Sequence, residues 1–292
     1  MKLKVIAPAK INLSLDIVGK RPDGYHDVAM VMQAVSLYDT ITVSDEVDEN
    51  APDFTVTCNV EGIPTDDRNI VCKAAKAFYK YAEIESKKIS IDIEKRIPHE
   101  AGLAGGSTDA AAVILALNRI FDTKLTTEQM CDIGARVGAD VPFCIVGGAV
   151  LAKGTGTTMS KLPPLTKCYI LICKPDVSVS TAEAYAKSDS KPPKGFLVTD
   201  EVVKMICKRN LRGVSQCLYN EFEAVMNLDE ITSIKKLMIK NKALGACMSG
   251  SGSAVYGIFL DEKKALKCKD AMSSMYDKLY ICEPIKGGCE IV

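Results

Sequence analysis

The pattern of apolar and polar positions changes period several times along the chain. Residues 2–17 read as two short extended runs broken at Pro8, and residues 19–24 carry the turn residues of a loop. Thr40–Ser44 and Phe54–Val60 alternate as half-buried strands. Across Asn69–Tyr81 the apolar residues Ile70, Ala74, Ala77, Phe78 and Tyr81 recur at helical spacing. Lys88–Glu94 then alternates with Ile89, Ile91 and Ile93 on one side and charged or hydroxyl residues on the other, a strand with one wet face. Ala110–Leu117 is apolar all round and predicts a central, buried helix. Thr126–Val137 predicts a second helix behind an N-cap threonine.

The second half repeats the mixture. Tyr169–Cys173, Ser253–Leu260 and Tyr280–Pro284 read as strands, and Thr199–Lys208, Glu230–Ile239 and Lys263–Tyr276 as helices, with a solvated loop over Ser188–Gly195. No internal repeat interrupts this order. The pattern is that of an α/β or α+β protein in two domains, with the boundary expected in the Gly-, Thr- and Pro-rich stretch 154–164, giving domains 1–158 and 159–292.

Composition narrows the class. With 47% hydrophobic and 25% charged residues, the 292-residue chain is neither disordered nor fibrous. Its 37 basic and 37 acidic residues cancel, which removes the electrostatic ground for a nucleic-acid or anionic-membrane partner. No stretch is apolar enough to span a bilayer or serve as a signal segment, so a cytoplasmic location is expected. The twelve cysteines are scattered, without CxxC spacing, and read as reduced, mostly buried thiols rather than a zinc site.

Five stretches could carry chemistry. In Pro98-His99-Glu100-Ala101-Gly102-Leu103-Ala104-Gly105-Gly106-Ser107-Thr108 a wet-faced strand runs into a glycine-rich loop and a buried helix leaves it. Small residues let the backbone approach a ligand closely, and free N–H groups at a helix start favour an anion, so a phosphate is the natural occupant. A tight turn needing glycine for geometry alone is the plainer reading. Neither GxxxxGK[ST] nor GxGxxG is present at this loop, and His99-Glu100 does not continue into HExxH. Lys10 interrupts an apolar run and, taken alone, reads as a strand lysine on the solvent face. Asp140, among small and apolar neighbours in Gly138–Phe143, reads equally as a helix terminator or as a chemical group. Ser249–Gly252 is a second small-residue loop, and Gly24-Tyr25-His26 suits either a packed loop or recognition of a planar ring.

Taken together, the stretches Pro8–Leu13, Pro98–Ser107 and Gly250–Val255 resemble, in order and at plausible distances, the three motifs of the GHMP family of small-molecule kinases. The resemblance implies an α+β, two-domain architecture, with an N-terminal ribosomal-S5-like α/β domain and a C-terminal ferredoxin-like α+β domain. It implies transfer of phosphate from ATP, with Mg2+, to an alcohol, Asp140 acting as catalytic base and Lys10 as its partner. ATP would be held by Pro98, Ala101, Gly102, Leu103, Ala104, Gly105, Gly106, Ser107 and Thr108, with Asn69 and Arg96 near the adenine. The Arg21–His26 element and the Gly-Ala-Asp-Val-Pro-Phe-Cys segment resemble the branch acting on a cytidine diphosphate-linked methylerythritol, at its 2-hydroxyl. There Asn12, Tyr25, His26, Tyr185, Gly250 and Ser251 would contact this small-molecule substrate, His26 and Tyr25 holding the cytosine and Tyr185 stacking on its other face. The sequence shows no evident metal cage, which suits magnesium bound largely through phosphate oxygens and water. Thr157 departs from the Gly-Glu expected after Gly154-Thr155. A mevalonate- or homoserine-type kinase, or a non-catalytic nucleotide sensor on the same fold, is the alternative.

Overall fold

A computed structural model describes residues 1–190 and 196–292. Two antiparallel strands of unusual length, β1 (Lys2–Lys20) and β2 (His26–Ser44), form its spine. Sequence predicted two runs broken at Pro8, but β1 is continuous. The register shifts between Pro8 and Ala9, and a bulge there accommodates a residue without an N–H. Most of β2 escapes prediction because Val28–Val35 is buried on both faces and so shows no alternation.

The chain continues through β3 (Phe54–Cys58), α1 (Ile70–Ala82), β4 (Ile89–Glu94), α2 (Gly105–Ile120), α3 (Thr127–Val137), α4 (Val141–Val146), β5 (Ala149–Gly154) and β6 (Thr158–Lys161). In the large sheet β1, β2, β4 and β3 lie side by side, with β5 also pairing with β2 and β6 with β5. The strand β6 keeps residues 158–161 in this sheet, so a division at 158/159 falls within its last hairpin. Asn69 caps α1, its side chain accepting from Val71 N at 3.0 Å, and Thr126 caps α3 in a capping box with Gln129. The central helix α2 packs against α1, α3, α4, β1 and β2, and its residues Ala110–Ile114 are wholly buried. It begins five residues earlier than the apolar run suggests, because Gly105–Asp109 form its first turn.

The second half runs β7 (Tyr169–Cys173), α5 (Thr181–Asp189), α6 (Val198–Cys207), α7 (Leu211–Gln216), β8 (Tyr219–Asn220), α8 (Glu221–Met226), α9 (Asp229–Lys240), β9 (Gly245–Met248), β10 (Val255–Phe259), α10 (Glu262–Met272), β11 (Leu279–Cys282) and β12 (Glu290–Ile291). Its antiparallel sheet has the order β11-β7-β10-β9, the ferredoxin-like arrangement. The solvated loop expected over 188–195 is corrected at its start, since Ser188 and Asp189 end α5; residues 191–195 lie outside the described residues. Short helices α4, α5, α7 and α8 are too brief to declare a period.

The halves are joined by more than a linker. Strands β8 and β12, from the second half, both pair with β1. Ala9, Ile11, Leu13, Val31 and Val35 share a core with Ile170, Ile172, Tyr256 and Ile258, so the two sheets bury their faces against each other. No helix among the described residues is long and apolar enough to cross a membrane.

Candidate active site

Alternation along β1 does two jobs at once. Ala9, Ile11 and Leu13 enter the core between the sheets, while Lys10 and Asn12 point the other way into a cavity of about 600 Å³. Lys10 is 4% exposed, so it does not occupy the solvent face that its isolated pattern suggested. A buried ammonium needs partners. It donates to Asn12 Oδ1 at 2.6 Å and lies 3.6 Å from Asp140 Oδ2. Asp140 sits at the N-cap position of α4 without capping it, which leaves its carboxylate, 29% exposed, facing the cavity.

The glycine-rich loop runs from Pro98 to Ala104, with positive φ at Glu100 (51°), Gly102 (71°) and Ala104 (60°). Gly102 is required twice over. Its φ disfavours an L side chain, and a Cβ there would stand 1.9 Å from Ser249 O. That approach is locked from both sides. Lys10 N donates to Leu103 O, Ala254 N to Ala101 O, and Ser249 Oγ to Gly102 O at 2.9 Å. Ala104 offers α2 no side-chain cap, so the first N–H groups of a 16-residue helix open onto the cavity. The arrangement can hold a polyphosphate by backbone amides.

Beneath the loop lies a buried charge cluster that sequence reasoning missed. Lys95 Nζ pairs with Asp39 Oδ2 at 2.5 Å and Asp109 Oδ2 at 2.8 Å. Asp39 Oδ1 accepts from Arg96 N and Ile97 N, fixing the chain as it leaves β4. Burial works against the Lys95 ammonium, yet the two carboxylates outweigh it and raise its pKa above the ordinary lysine value. Burial pushes Asp109 well above the ordinary carboxylate range, with Lys95 opposing and Asp39 reinforcing the shift. Only the adjacency of Glu94, Lys95 and Arg96 to the loop could have hinted at the cluster. Asn220, which donates to Met248 O and Gly250 O and so holds the second small-residue loop, left no local signal either.

Of the residues nominated from sequence, Lys10, Asn12, Asn69, Pro98, Ala101, Gly102, Leu103, Ala104, Gly105, Gly106, Ser107, Asp140, Tyr185, Gly250 and Ser251 all line the one cavity. Four do not. Thr108 turns its hydroxyl to Cys289 Sγ at 3.5 Å. Arg96 pairs with Glu94 and lines an adjoining cavity of about 630 Å³, which shares Ile63, Lys95 and Pro98–Glu100 with the first. Asn69, although it lines the main cavity, has its side chain engaged by Val71 N and Pro64 O. Tyr25 is 68% exposed. His26 lies on Tyr185, ring centroids 4.3 Å apart and planes 17° from parallel, while its Nε2 meets Asp189 at 2.6 Å. Tyr185 in turn meets Phe222 edge-on. At 4.3 Å the two stacked rings leave no room for a third between them.

The GHMP kinases N terminal domain matches residues 69–148, and the GHMP kinases C terminal domain matches residues 202–278. The chain is 41% identical, over 97% of its length and all of the relative's, to the 4-diphosphocytidyl-2-C-methyl-D-erythritol kinase of Clostridium tetani (strain Massachusetts / E88). It belongs to the GHMP kinases, in the branch of the 4-diphosphocytidyl-2-C-methyl-D-erythritol kinases. The kinase of that name from Clostridioides difficile (strain 630) is 40% identical over 99% of this chain and 97% of its own. A crystal structure of 4-(cytidine 5'-diphospho)-2C-methyl-D-erythritol kinase superposes with a TM-score of 0.80 at 27% identity, covering 99% of this chain and all of that one. A homoserine kinase from Cytophaga hutchinsonii also superposes at 0.80, with 21% identity, a likeness of fold. Membership implies ATP as the phosphoryl donor in the reaction.

Proposed function

We propose that this GHMP kinase transfers the γ-phosphoryl group of ATP to the 2-hydroxyl of 4-diphosphocytidyl-2-C-methyl-D-erythritol, a step in isoprenoid precursor synthesis, with Asp140 as general base and Lys10 as its partner. The observation that carries the residue assignment is the 3.6 Å approach of Lys10 Nζ to Asp140 Oδ2 in a cavity walled on its other side by the loop 98–104. An alcohol is a poor nucleophile until its proton has an acceptor, and a carboxylate at the cavity wall supplies one. The Lys10 ammonium, held by Asn12, offsets negative charge growing on the acceptor oxygen. Transfer of the phosphoryl group then rests mainly on positioning and charge neutralisation.

The amides at the start of α2, with Ser107, face the triphosphate. Asn69 shapes the adenine end by tying α1 to Pro64, and Arg96, which lines the adjoining cavity and pairs with Glu94, would have to leave that pair to contact the adenine. Among the described residues no cluster of three or more acidic, histidine or cysteine side chains could cage a metal. Mg2+ would be carried mainly by phosphate oxygens and water, where it would supply neutralisation of the triphosphate charge. Tyr185 offers an aromatic face to the cytosine, a face now covered by His26, and Tyr25 stands ready outside. Twelve free thiols fit a reducing compartment, in keeping with a cytoplasmic enzyme.

The test is turnover of ATP and that alcohol with Mg2+, read as ADP and phosphorylated product. Asp140→Asn is expected to lower turnover about 100-fold or more. Cytidine nucleotides should compete and mevalonate should not. An Asp140→Asn enzyme at full rate would remove Asp140 from the mechanism, and product from mevalonate alone would overturn the substrate.

A further inference from the structure

The last residues of the chain do not trail away from the body. They form a strap that touches both halves of the catalytic site from behind. Ile285 N donates to Ala34 O, and Gln33 Nε2 donates to Ile285 O, which pins the strap to β2. Its far end is β12, paired with β1 at Val5 and Ile6, and Val292 N donates to Lys4 O. Between these anchors, Gly287–Cys289 pass across the ends of α2 and α4.

The contacts made there are specific. Cys289 N donates to Cys144 O at 3.0 Å, and Cys144 N donates to Asp140 O at 3.1 Å. On its other side, Cys289 Sγ donates to Thr108 O at 3.5 Å and lies equally far from Thr108 Oγ1. Thr108 N donates to Ala104 O at 2.9 Å, the left-handed residue that turns the phosphate loop into α2. One residue therefore stands two hydrogen-bonded steps from the backbone of Asp140 and two steps from the backbone of the loop. The fit leaves no slack. A Cβ added at Gly288 would lie 2.3 Å from Cys144 O and 2.5 Å from Ile145 O. A Cβ at Gly147, where α4 ends, would lie 2.0 Å from the backbone of Gly287 and Gly288. Contacts this close fix the distance between two elements.

We infer that Gly288 and Cys289 are positioning residues that set the distance between Asp140 and the phosphate loop. The inference rests on Asp140 being the base. Misplacing a reacting group by about 1 Å costs on the order of 100-fold in rate while leaving ground-state contacts in place. A displaced strap would thus act on kcat and spare KM, whereas a strap that only stabilises the fold would change the number of working sites and nothing else.

The experiment compares Gly288→Ala, Cys289→Ala and Cys289→Ser with wild type and Asp140→Asn, counting sites by calorimetric titration with a non-hydrolysable ATP analogue. Expected is a fall in kcat per titrated site of about tenfold or more for Gly288→Ala. KM for ATP and for the alcohol should stay within about threefold. Cys289→Ala, which removes only the contacts to Thr108, should lower kcat per site about two- to fivefold, and Cys289→Ser, which restores a donor and acceptor there, should recover it. If Gly288→Ala yields no folded protein, the Ala/Ser pair at Cys289 decides. Unchanged kcat per site in the strap variants, or equal losses for Cys289→Ala and Cys289→Ser, overturns the inference while Asp140→Asn remains impaired. Full activity of Asp140→Asn instead overturns the base assignment itself.

Discussion

The inner end of the cavity and its mouth are built on opposite principles. At the inner end, the loop 98–104 is held by backbone hydrogen bonds from β1 and from the 249–254 segment, and a buried lysine with two carboxylates lies beneath it. These contacts are buried or partly buried, so the loop is held by the core that surrounds it. At the mouth, Tyr25 is exposed, and His26, Tyr185, Asp189 and Lys20 satisfy one another. On the proposed assignment, the chemistry that all phosphoryl transfers share belongs to the pre-formed part. On the same assignment, recognition of a particular alcohol would fall to side chains that must exchange a partner within the protein for one in the ligand. The comparison makes a division of effects: variants at the inner end should alter stability and kcat, and variants at the mouth should alter KM.

The largest effect is expected from Lys95→Met. It leaves Asp39 and Asp109 buried without their shared cation, and removing one partner of a buried pair costs about 3–5 kcal/mol. Urea unfolding should show the midpoint falling by that equivalent at unchanged slope, while substitution of exposed Tyr25 by Ala should stay within about 0.5 kcal/mol. Equal stability of the two variants would erase the contrast. Next comes Gly102→Ala. The added methyl collides with Ser249 O at a backbone angle unsuited to it, so the loop must move from its seat. A loss of about 100-fold in kcat/KM for ATP is expected in steady-state assays, with little change in affinity for a cytidine nucleotide alone.

This division also explains what could be read from the amino-acid order. The candidate phosphate loop stands out because three glycines and a serine before a buried helix exceed what a turn needs, whereas Lys10 and Asp140 read ambiguously one at a time and only the family resemblance nominates them together. The helices α1 and α3 announce themselves by period and caps. What escaped depends on distance. Lys95 looks like any charged residue at a strand end until Asp39 and Asp109 close on it. Thr108 belongs to the loop by position, yet its hydroxyl faces a residue at the other end of the chain. The strand β2 lacks alternation because a second sheet covers the face that would otherwise be wet. His26 and Tyr185 were expected on either side of a base, and no local pattern could reveal that they stack on each other.

That stack is the place to sharpen the comparison with smaller effects. A base on an aromatic face contributes about 1–3 kcal/mol, so Tyr185→Ala should raise KM for the cytidine-linked substrate about tenfold with kcat within twofold, and Tyr185→Phe should retain wild-type KM. A kcat effect as large as the KM effect would mean that the mouth and the inner end are not separable.

The smallest prediction is the most discriminating, because its sign differs between two accounts of His26. Asp189 accepts from or pairs with His26 Nε2 and Lys20 Nζ, and these contacts hold the imidazole over Tyr185. If the stacked imidazole competes with the incoming base, loosening it helps the substrate. If Asp189 instead presents His26 to the base, loosening it harms. A partly exposed pair of this kind is worth about 0.2–1 kcal/mol, which corresponds to no more than about fivefold. Since the rings leave no space for a base between them, competition is the expected regime, and Asp189→Asn should lower KM for the cytidine-linked substrate by about two- to threefold without changing kcat. The gain should shrink at high salt only to the extent that wild-type KM falls, because screening weakens in wild type the same pair that the substitution removes. A raised KM in Asp189→Asn would instead make the ion pair part of the recognition surface, and the mouth would then be pre-formed in the same sense as the inner end.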